Sequence, residues 1–211
     1  MLDGVTNALL ILNPQAGRAR KLPGKQIENV QRTLFAQGIE TQLALVVAPG
    51  AAEELAREAV RTRAQLVIVC GGDGTLNGVV NGLAGSRVPL ALLPAGTANI
   101  LAKELRIPWD IERAAKCIKT GTLRRIALGR LTTFDGGAHS RYFLSVAGAG
   151  PDGAMVHGVD ENLKRRVGIL AYFAEGARQY IAYKFPQFRV ISGGRDLIAS
   201  LIVLLPLPSL R

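Results

Sequence analysis

Aromatic residues make up only 5% of the sequence, and no basic run is interleaved with Tyr or Phe. The stacking platform that single-stranded nucleic acid requires is therefore missing, and nucleic acid is set aside as a partner. Cysteine is almost absent: Cys70 and Cys117 stand far apart with no Cys-x-x-Cys arrangement. That excludes a disulfide framework and a thiolate zinc site, and it fits a reducing, cytoplasmic setting. Long apolar runs are lacking too, since Leu197 to Leu207 is interrupted by Pro206 and is too short to cross a bilayer. The opening Met1-Leu2-Asp3-Gly4 has neither the basic start nor the apolar core of a signal peptide.

What the sequence does have is apolar mass and positive charge. Its 211 residues are 48% hydrophobic, enough for one large domain or two modest ones. With 26 Lys+Arg against 16 Asp+Glu the formal net charge is +10, which favours anionic partners: phosphorylated small molecules or the surface of an anionic membrane.

Ala8 to Leu12 is an uninterrupted apolar run that stops at Asn13-Pro14, as a strand buried on both faces does. Ile27, Val30 and Leu34 then recur at helical spacing up to Gly38, and Thr41 to Val47 reads as the next strand. A helix over Ala51 to Arg63, a strand over Leu66 to Cys70, a helix over Leu76 to Leu83 and a strand over Pro89 to Leu93 follow. This alternation predicts an α/β layer with a parallel sheet. From Leu123 the texture changes to short β-like runs at Leu123 to Leu131, Arg141 to Val146, Phe188 to Ile191 and Ile198 to Leu205, interrupted by one helical segment, Leu163 to Tyr183. The expected division is an α/β domain over 1–122 and a β-rich second domain over 123–211.

Ligands of parallel α/β sheets bind beyond the carboxyl ends of the strands. Three of those ends carry unusual chemistry here: Asn13-Pro14-Gln15-Ala16-Gly17, Gly71-Gly72-Asp73-Gly74-Thr75-Leu76-Asn77, and Pro94-Ala95-Gly96-Thr97-Ala98-Asn99. In the second, Gly71, Gly72 and Gly74 open backbone angles closed to other residues and let a ligand approach the main chain. Thr75 offers a hydroxyl, and the start of the next helix offers free N–H groups, as phosphate requires. Asp73 repels phosphate unless a divalent cation or a transferable proton intervenes, which points to metal-assisted or acid–base chemistry. The bland alternative is a helix N-cap. Asn13 and Gly17 supply an amide and bare backbone, while Arg18, Arg20 and Lys21 beside them read as a solvated basic surface.

Taken in this order, the three loops resemble those of the diacylglycerol kinase and sphingosine kinase superfamily, in particular its bacterial lipid kinase branch. The resemblance continues through Val146 to Val156 and Lys164 to Tyr180, which are similar to the start of that family's second domain. It implies a nucleotide-binding α/β domain of the NAD kinase and phosphofructokinase type, followed by a β-sandwich that is incomplete here. It also implies transfer of the ATP γ-phosphoryl to a lipid hydroxyl with Mg²⁺, peripheral contact with anionic membrane, and a cytoplasmic location. A homodimer stays open. Asn13, Pro14, Gln15, Ala16, Gly17, Gly71 to Asn77, Gly96, Thr97 and Asn99 would hold the nucleotide, with Asp73 near the phosphates as the candidate catalytic group and no residue assigned as a metal ligand.

The sequence also departs from that family. Val46 and Val47 stand where many relatives place a Thr. The Asp-Asp-Gly-x-Leu-Asp stretch and the later Asp-Gly-Glu region, source of the family's general base, do not occur in these 211 residues. The expectation is a truncated or frame-shifted product. Two alternatives accompany the lipid kinase reading: a small-molecule kinase of the NAD kinase type, and an inactive homologue that binds ATP or membrane.

Other motifs lead nowhere. Gly148 to Gly153 fits Gly-x-Gly-x-x-Gly, but Pro151 sits inside it and Tyr172 occupies the position where an acid is required. His139 and His157 lie in different segments with one carboxylate near each, too few ligands for a metal. No Walker A motif and no Gly-x-Ser-x-Gly elbow occurs.

Overall fold

The computed structural model describes residues 2, 4–22, 24–134, 136–150 and 185–205. The helical segment expected over Leu163 to Tyr183, together with Asp152 and His157, lies outside the described residues.

The chain divides into two compact units, one over Met1–Ser145 and one over Val146–Pro206. At the centre of the first is a parallel four-stranded sheet in the order β2-β1-β3-β4. The strands are β1 (Asn7–Leu12), β2 (Glu40–Leu45), β3 (Val67–Gly71) and β4 (Leu90–Pro94). Leu10 of β1 lies beside Leu43 of β2 and Ile68 of β3, and Ile68 beside Ala91 of β4. β3 is buried along its whole length, which is why its sequence is continuously apolar rather than alternating.

The period-two geometry of the strands sorts the core into two layers. Leu10, Leu12, Ile68, Cys70 and Leu93 face helices α1 (Gly24–Ala36) and α5 (Ile111–Lys116), meeting Val30, Leu34, Ile111 and Ala114. Ile11, Val67, Val69 and Leu92 face α2 (Ala51–Arg61), α3 (Asp73–Leu83) and α4 (Ile100–Glu104), meeting Ala56, Val79, Val80 and Leu101. Each fully buried aliphatic side chain of this kind contributes about 1.5–3 kcal/mol. The α2–α3 contact is close because α3 offers glycine there: a Cβ on Gly78 would stand 3.2 Å from Cβ of Ala52, and one on Gly82 would stand 2.6 Å from Cβ of Ala56.

Because α1, which follows β1, and α3, which follows β3, cover opposite faces, the chain leaves β1 and β3 toward opposite sides of the sheet. The crevice between those two strand ends is the topological switch point of the fold. All three candidate loops follow strands that meet at or beside it.

The first unit ends in an antiparallel hairpin, β5 (Gly129–Phe134) and β6 (Ala138–Phe143). Strand structure therefore begins at Gly129 and not at Leu123, where Phe143 of β6 first lies opposite as a pairing partner. In the second unit β7 (Ala147–Ala149) pairs with β10 (Ile202–Leu204), and β8 (Phe188–Ser192) with β9 (Arg195–Ala199). The apolar run read as one strand over Ile198 to Leu205 is thus split at Ser200, its two parts belonging to different sheets. Gly193 and Gly194, at φ +56° and +77°, form the tight turn between β8 and β9. The architecture is α/β with a parallel core and small antiparallel sheets toward the C-terminus.

Candidate nucleotide site

The three loops are bonded to one another through both side chains and main chain. Asn13, directly after β1, donates its side-chain N–H to Thr75 Oγ1 at 2.8 Å and accepts the Gln15 N–H at 2.9 Å. Its main-chain N–H reaches the Cys70 carbonyl at 3.0 Å. The amide of Asn13 is therefore spent inside the site, fixing the Thr75 hydroxyl and turning the first loop. Thr75 is buried and accepts this bond with its oxygen, so the hydroxyl proton remains available to a ligand.

Asp73 lies in the first turn of α3, where a carboxylate favours the helix dipole. Gly72 is the N-cap, without a side-chain bond. The Asp73 carboxylate reaches across to the third loop, accepting the N–H of Asn99 at 2.8 Å and of Ile100 at 2.7 Å, one on each oxygen. Asn99 in turn closes its own loop, accepting the Gly96 N–H and donating to the Gly96 carbonyl, both at 2.9 Å. Asn99 is buried and takes a left-handed φ of 46°, unusual for a residue with a Cβ.

The glycines serve a purpose other than special backbone angles. None of Gly71, Gly72 and Gly74 has positive φ, and Gly72 is extended at φ −99° and ψ −175°. What they provide is close approach. A Cβ on Gly72 would lie 3.1 Å from Cα of Gly96, and one on Gly17 would collide with the Thr97 hydroxyl. The first loop is also tied to the third by the N–H groups of Arg18 and Ala19, which share the Ala95 carbonyl at 2.8 and 3.0 Å. Gln15, Gly17, Gly74, Thr97 and Ala98 form the exposed rim, Pro14, Ala16 and Asn77 are half-buried, and Gly71 and Gly96 are buried. Leu76 packs in the core against α2 and lies away from the rim.

Arg18 is not the solvated side chain its basic neighbours imply. Its guanidinium lies 4.8 Å from the ring centre of Trp109, with Lys103 Nζ at 5.5 Å from the same ring. Arg18 Nη2 donates to the Trp109 carbonyl at 2.9 Å, while Nη1 is buried without an acceptor among the described residues. Its charge also reaches Cys70, whose thiol is nonetheless pushed up to about 12 by burial. A lone tryptophan downstream of the third loop was the available signal for this contact; its partner, 91 residues earlier, was not legible.

The family model for the diacylglycerol kinase catalytic domain matches residues 7–131, a span that includes all three loops. The chain belongs to that family. Over 172 residues it is 36% identical to the diacylglycerol kinase of Bacillus subtilis strain 168, covering 80% of this chain and 54% of that protein. Over 185 residues it is 30% identical to the diacylglycerol kinase of Staphylococcus saprophyticus, covering 87% of this chain and 58% of the relative. The fold is similar to the crystal structure of a diacylglycerol kinase from Bacillus anthracis str. Sterne, with a TM-score of 0.65, 25% identity, and coverage of 95% of this chain and 64% of the other. The chain thus spans a little over half the length of the curated relatives it matches. Among the described residues no helix is long and apolar enough to cross a membrane, and no group of three or more His, Cys, Asp or Glu is placed to hold a metal.

Proposed function

We propose that this diacylglycerol kinase family chain binds ATP on its three loops and takes part in transfer of the γ-phosphoryl to the hydroxyl of a diacylglycerol-like lipid. The observation that carries this reading is the mutual bonding of the loops at the switch point. Asn13 to Thr75, Asp73 to Asn99 and Ile100, and Arg18 and Ala19 to Ala95 hold three strand ends in one arrangement. Phosphoryl transfer needs little covalent help from a protein and much positioning. The α3 N-terminus and the Thr75 hydroxyl supply donors to phosphate oxygens, and Arg18 and Lys103 add positive charge beside them. In the reaction the lipid oxygen forms the new P–O bond, the bond from the γ-phosphorus to the β–γ bridging oxygen breaks, ADP leaves, and the hydroxyl proton passes to a base. Mg²⁺, ordinarily held by one or two carboxylates together with phosphates, would offset phosphate charge; Asp73, the carboxylate at these loops, already accepts one backbone N–H on each oxygen and would offer only its remaining lone pairs.

By this proposal residues 1–122 form the nucleotide domain and 123–211 belong to the lipid-bearing domain, while the β5–β6 hairpin within that span is bonded to α2 and α3 and groups with the first compact unit. A formal charge of +10 supports docking on anionic lipid from the cytoplasmic side, an attraction that salt screens.

The test is transfer of labelled γ-phosphate from Mg-ATP to mixed lipids in anionic vesicles, with NAD as a parallel acceptor and ATP affinity measured by calorimetry. Labelled lipid supports the proposal. Labelled NAD replaces it with a small-molecule kinase, and ATP binding without transfer restricts the chain to a nucleotide-binding module. Absence of ATP binding overturns it.

A further inference from the structure

Asn81, in the last turn of α3, has a side chain bonded as a strand would be. Its Oδ1 accepts the main-chain N–H of Tyr142 at 2.8 Å, and its Nδ2 donates to the Tyr142 carbonyl at 2.9 Å. The same Nδ2 also donates to the Asn77 carbonyl at 2.8 Å, one turn back in the helix. Both amide hydrogens and the oxygen are thus engaged, which fixes the side-chain rotamer as well as the contact. Tyr142 belongs to β6, and among the described residues its main-chain groups on this edge have no strand to pair with; Asn81 stands in for one.

A second bond holds the same strand to α2. Glu53 has a side chain only 13% exposed and accepts Arg141 Nη1 at 2.9 Å as well as Arg57 of its own helix. Since α2 and α3 meet through Gly78 and Gly82 at near-backbone distance, the two anchors sit on one closely packed helix pair. The phosphate-facing loop begins that same α3, and the first unit ends at Ser145, two residues after β6.

We propose that Asn81 is a positioning residue: by completing the hydrogen bonding of Tyr142 it makes the β5–β6 hairpin part of the α2–α3 body. The hairpin is thereby held in place relative to the nucleotide loops. The hairpin's attachment stands on the geometry alone, whereas its value to phosphoryl transfer rests on the nucleotide reading above.

The test uses the full 211-residue chain carrying Cys117→Ser with spin labels at Arg61→Cys on α2 and His139→Cys on β6; Cys70 is buried and stays unlabelled. Pulsed electron resonance reads the distance distribution between the labels, and hydrogen exchange reads the Tyr142 amide. The expected result is a single narrow distance with Asn81 present and a broadened one in Asn81→Ala. Exchange at Tyr142 rises at least about fivefold in that variant, as loss of a hydrogen bond of ~1 kcal/mol or more predicts, while protection of Val79 and Val80 persists. ATP affinity by calorimetry stays within about twofold of the parent. Arg141→Ala, an exposed change compatible with folding, should broaden the distribution to a lesser degree and carries the test if Asn81→Ala fails to fold. An unchanged distance with Tyr142 still protected overturns the proposal, as does a loss of ATP affinity with the hairpin in place. A parent chain that binds no ATP yet shows the narrow distance removes the nucleotide reading and leaves the anchor standing.

Discussion

The carboxylate of Asp73 holds the main-chain N–H of Asn99 at 2.8 Å, joining the loop after β3 to the loop after β4 across 26 residues of sequence. With Ile100 bonded to the other oxygen, the group is a two-oxygen acceptor for two backbone donors, and charge makes both bonds stronger than neutral ones. Asp73→Asn replaces one acceptor oxygen by an NH₂ that faces an N–H donor, so one bond becomes a repulsion. The expected loss is about 1–3 kcal/mol of stability, read as a lowered midpoint in denaturant. ATP affinity should fall with it, because the third loop is no longer held against the second. Unchanged stability would mean that the loops keep their arrangement without the carboxylate.

Asn99 combines two roles that substitution separates. Its side chain closes the loop on Gly96, and its backbone is left-handed at φ 46°. Asn99→Gly removes the first and keeps the second, whereas Asn99→Ala removes the side-chain bonds and strains the backbone. Alanine should therefore be the more destabilising by about 1 kcal/mol. Thermal melts of the two variants compare them directly, and glycine proving equal to or worse than alanine would show that φ is not under strain.

The glycines of the loops should rank by what their missing Cβ would meet. At Gly96 it would meet Cα of Gly72 and, at 2.7 Å, Oδ1 of Asn99; backbone and a bonded amide give way poorly. At Gly17 it would meet the Thr97 hydroxyl, the end of an exposed side chain that can rotate. Gly96→Ala is expected to cost about 1–3 kcal/mol through overpacking, and Gly17→Ala less. For Gly17→Ala the larger effect should be on ATP affinity, since the altered surface is the exposed rim. Calorimetric binding beside denaturant titration separates the two outcomes.

Much of this was legible in the sequence, and what was not has physical reasons. Continuous apolar runs reveal β1 and β3 because both are covered on two faces. The three loops stand out because glycine, Asn and Thr gather where those runs stop. The bonds between loops were hidden, since Asn13 and Thr75 are 62 residues apart and nothing local couples them. Helices α4 and α5 were missed because five and six residues are too few to show a period. The cap of α5, Asp110 accepting the Arg113 N–H at 2.8 Å, was the signal to follow. The strand expected from Leu123 began later because a strand starts where a partner is available, and composition alone does not reveal the partner.

The two cysteines should differ sharply in reactivity. Thiolate is the reactive form, and burial pushes the Cys70 thiol from an ordinary 9.0 up to about 12 despite the positive charge of Arg18. At pH 8 the thiolate fraction of Cys70 is thereby cut roughly a thousandfold, and the residue is also shielded from reagent. Cys117 is exposed. A disulfide reagent at pH 8 should therefore modify one thiol per native chain and two per chain in denaturant, with mass spectrometry placing the native label on Cys117. The same shift gives a sign for stability. Above about pH 9 the unfolded chain loses the Cys70 proton while the folded chain keeps it, so folding binds more protons and stability falls as pH rises toward 12. Cys70→Ala removes this ionisation and should flatten that part of the pH profile in spite of a lower overall stability. Rapid labelling of Cys70 in the native chain would show that the end of β3 opens beneath the loops.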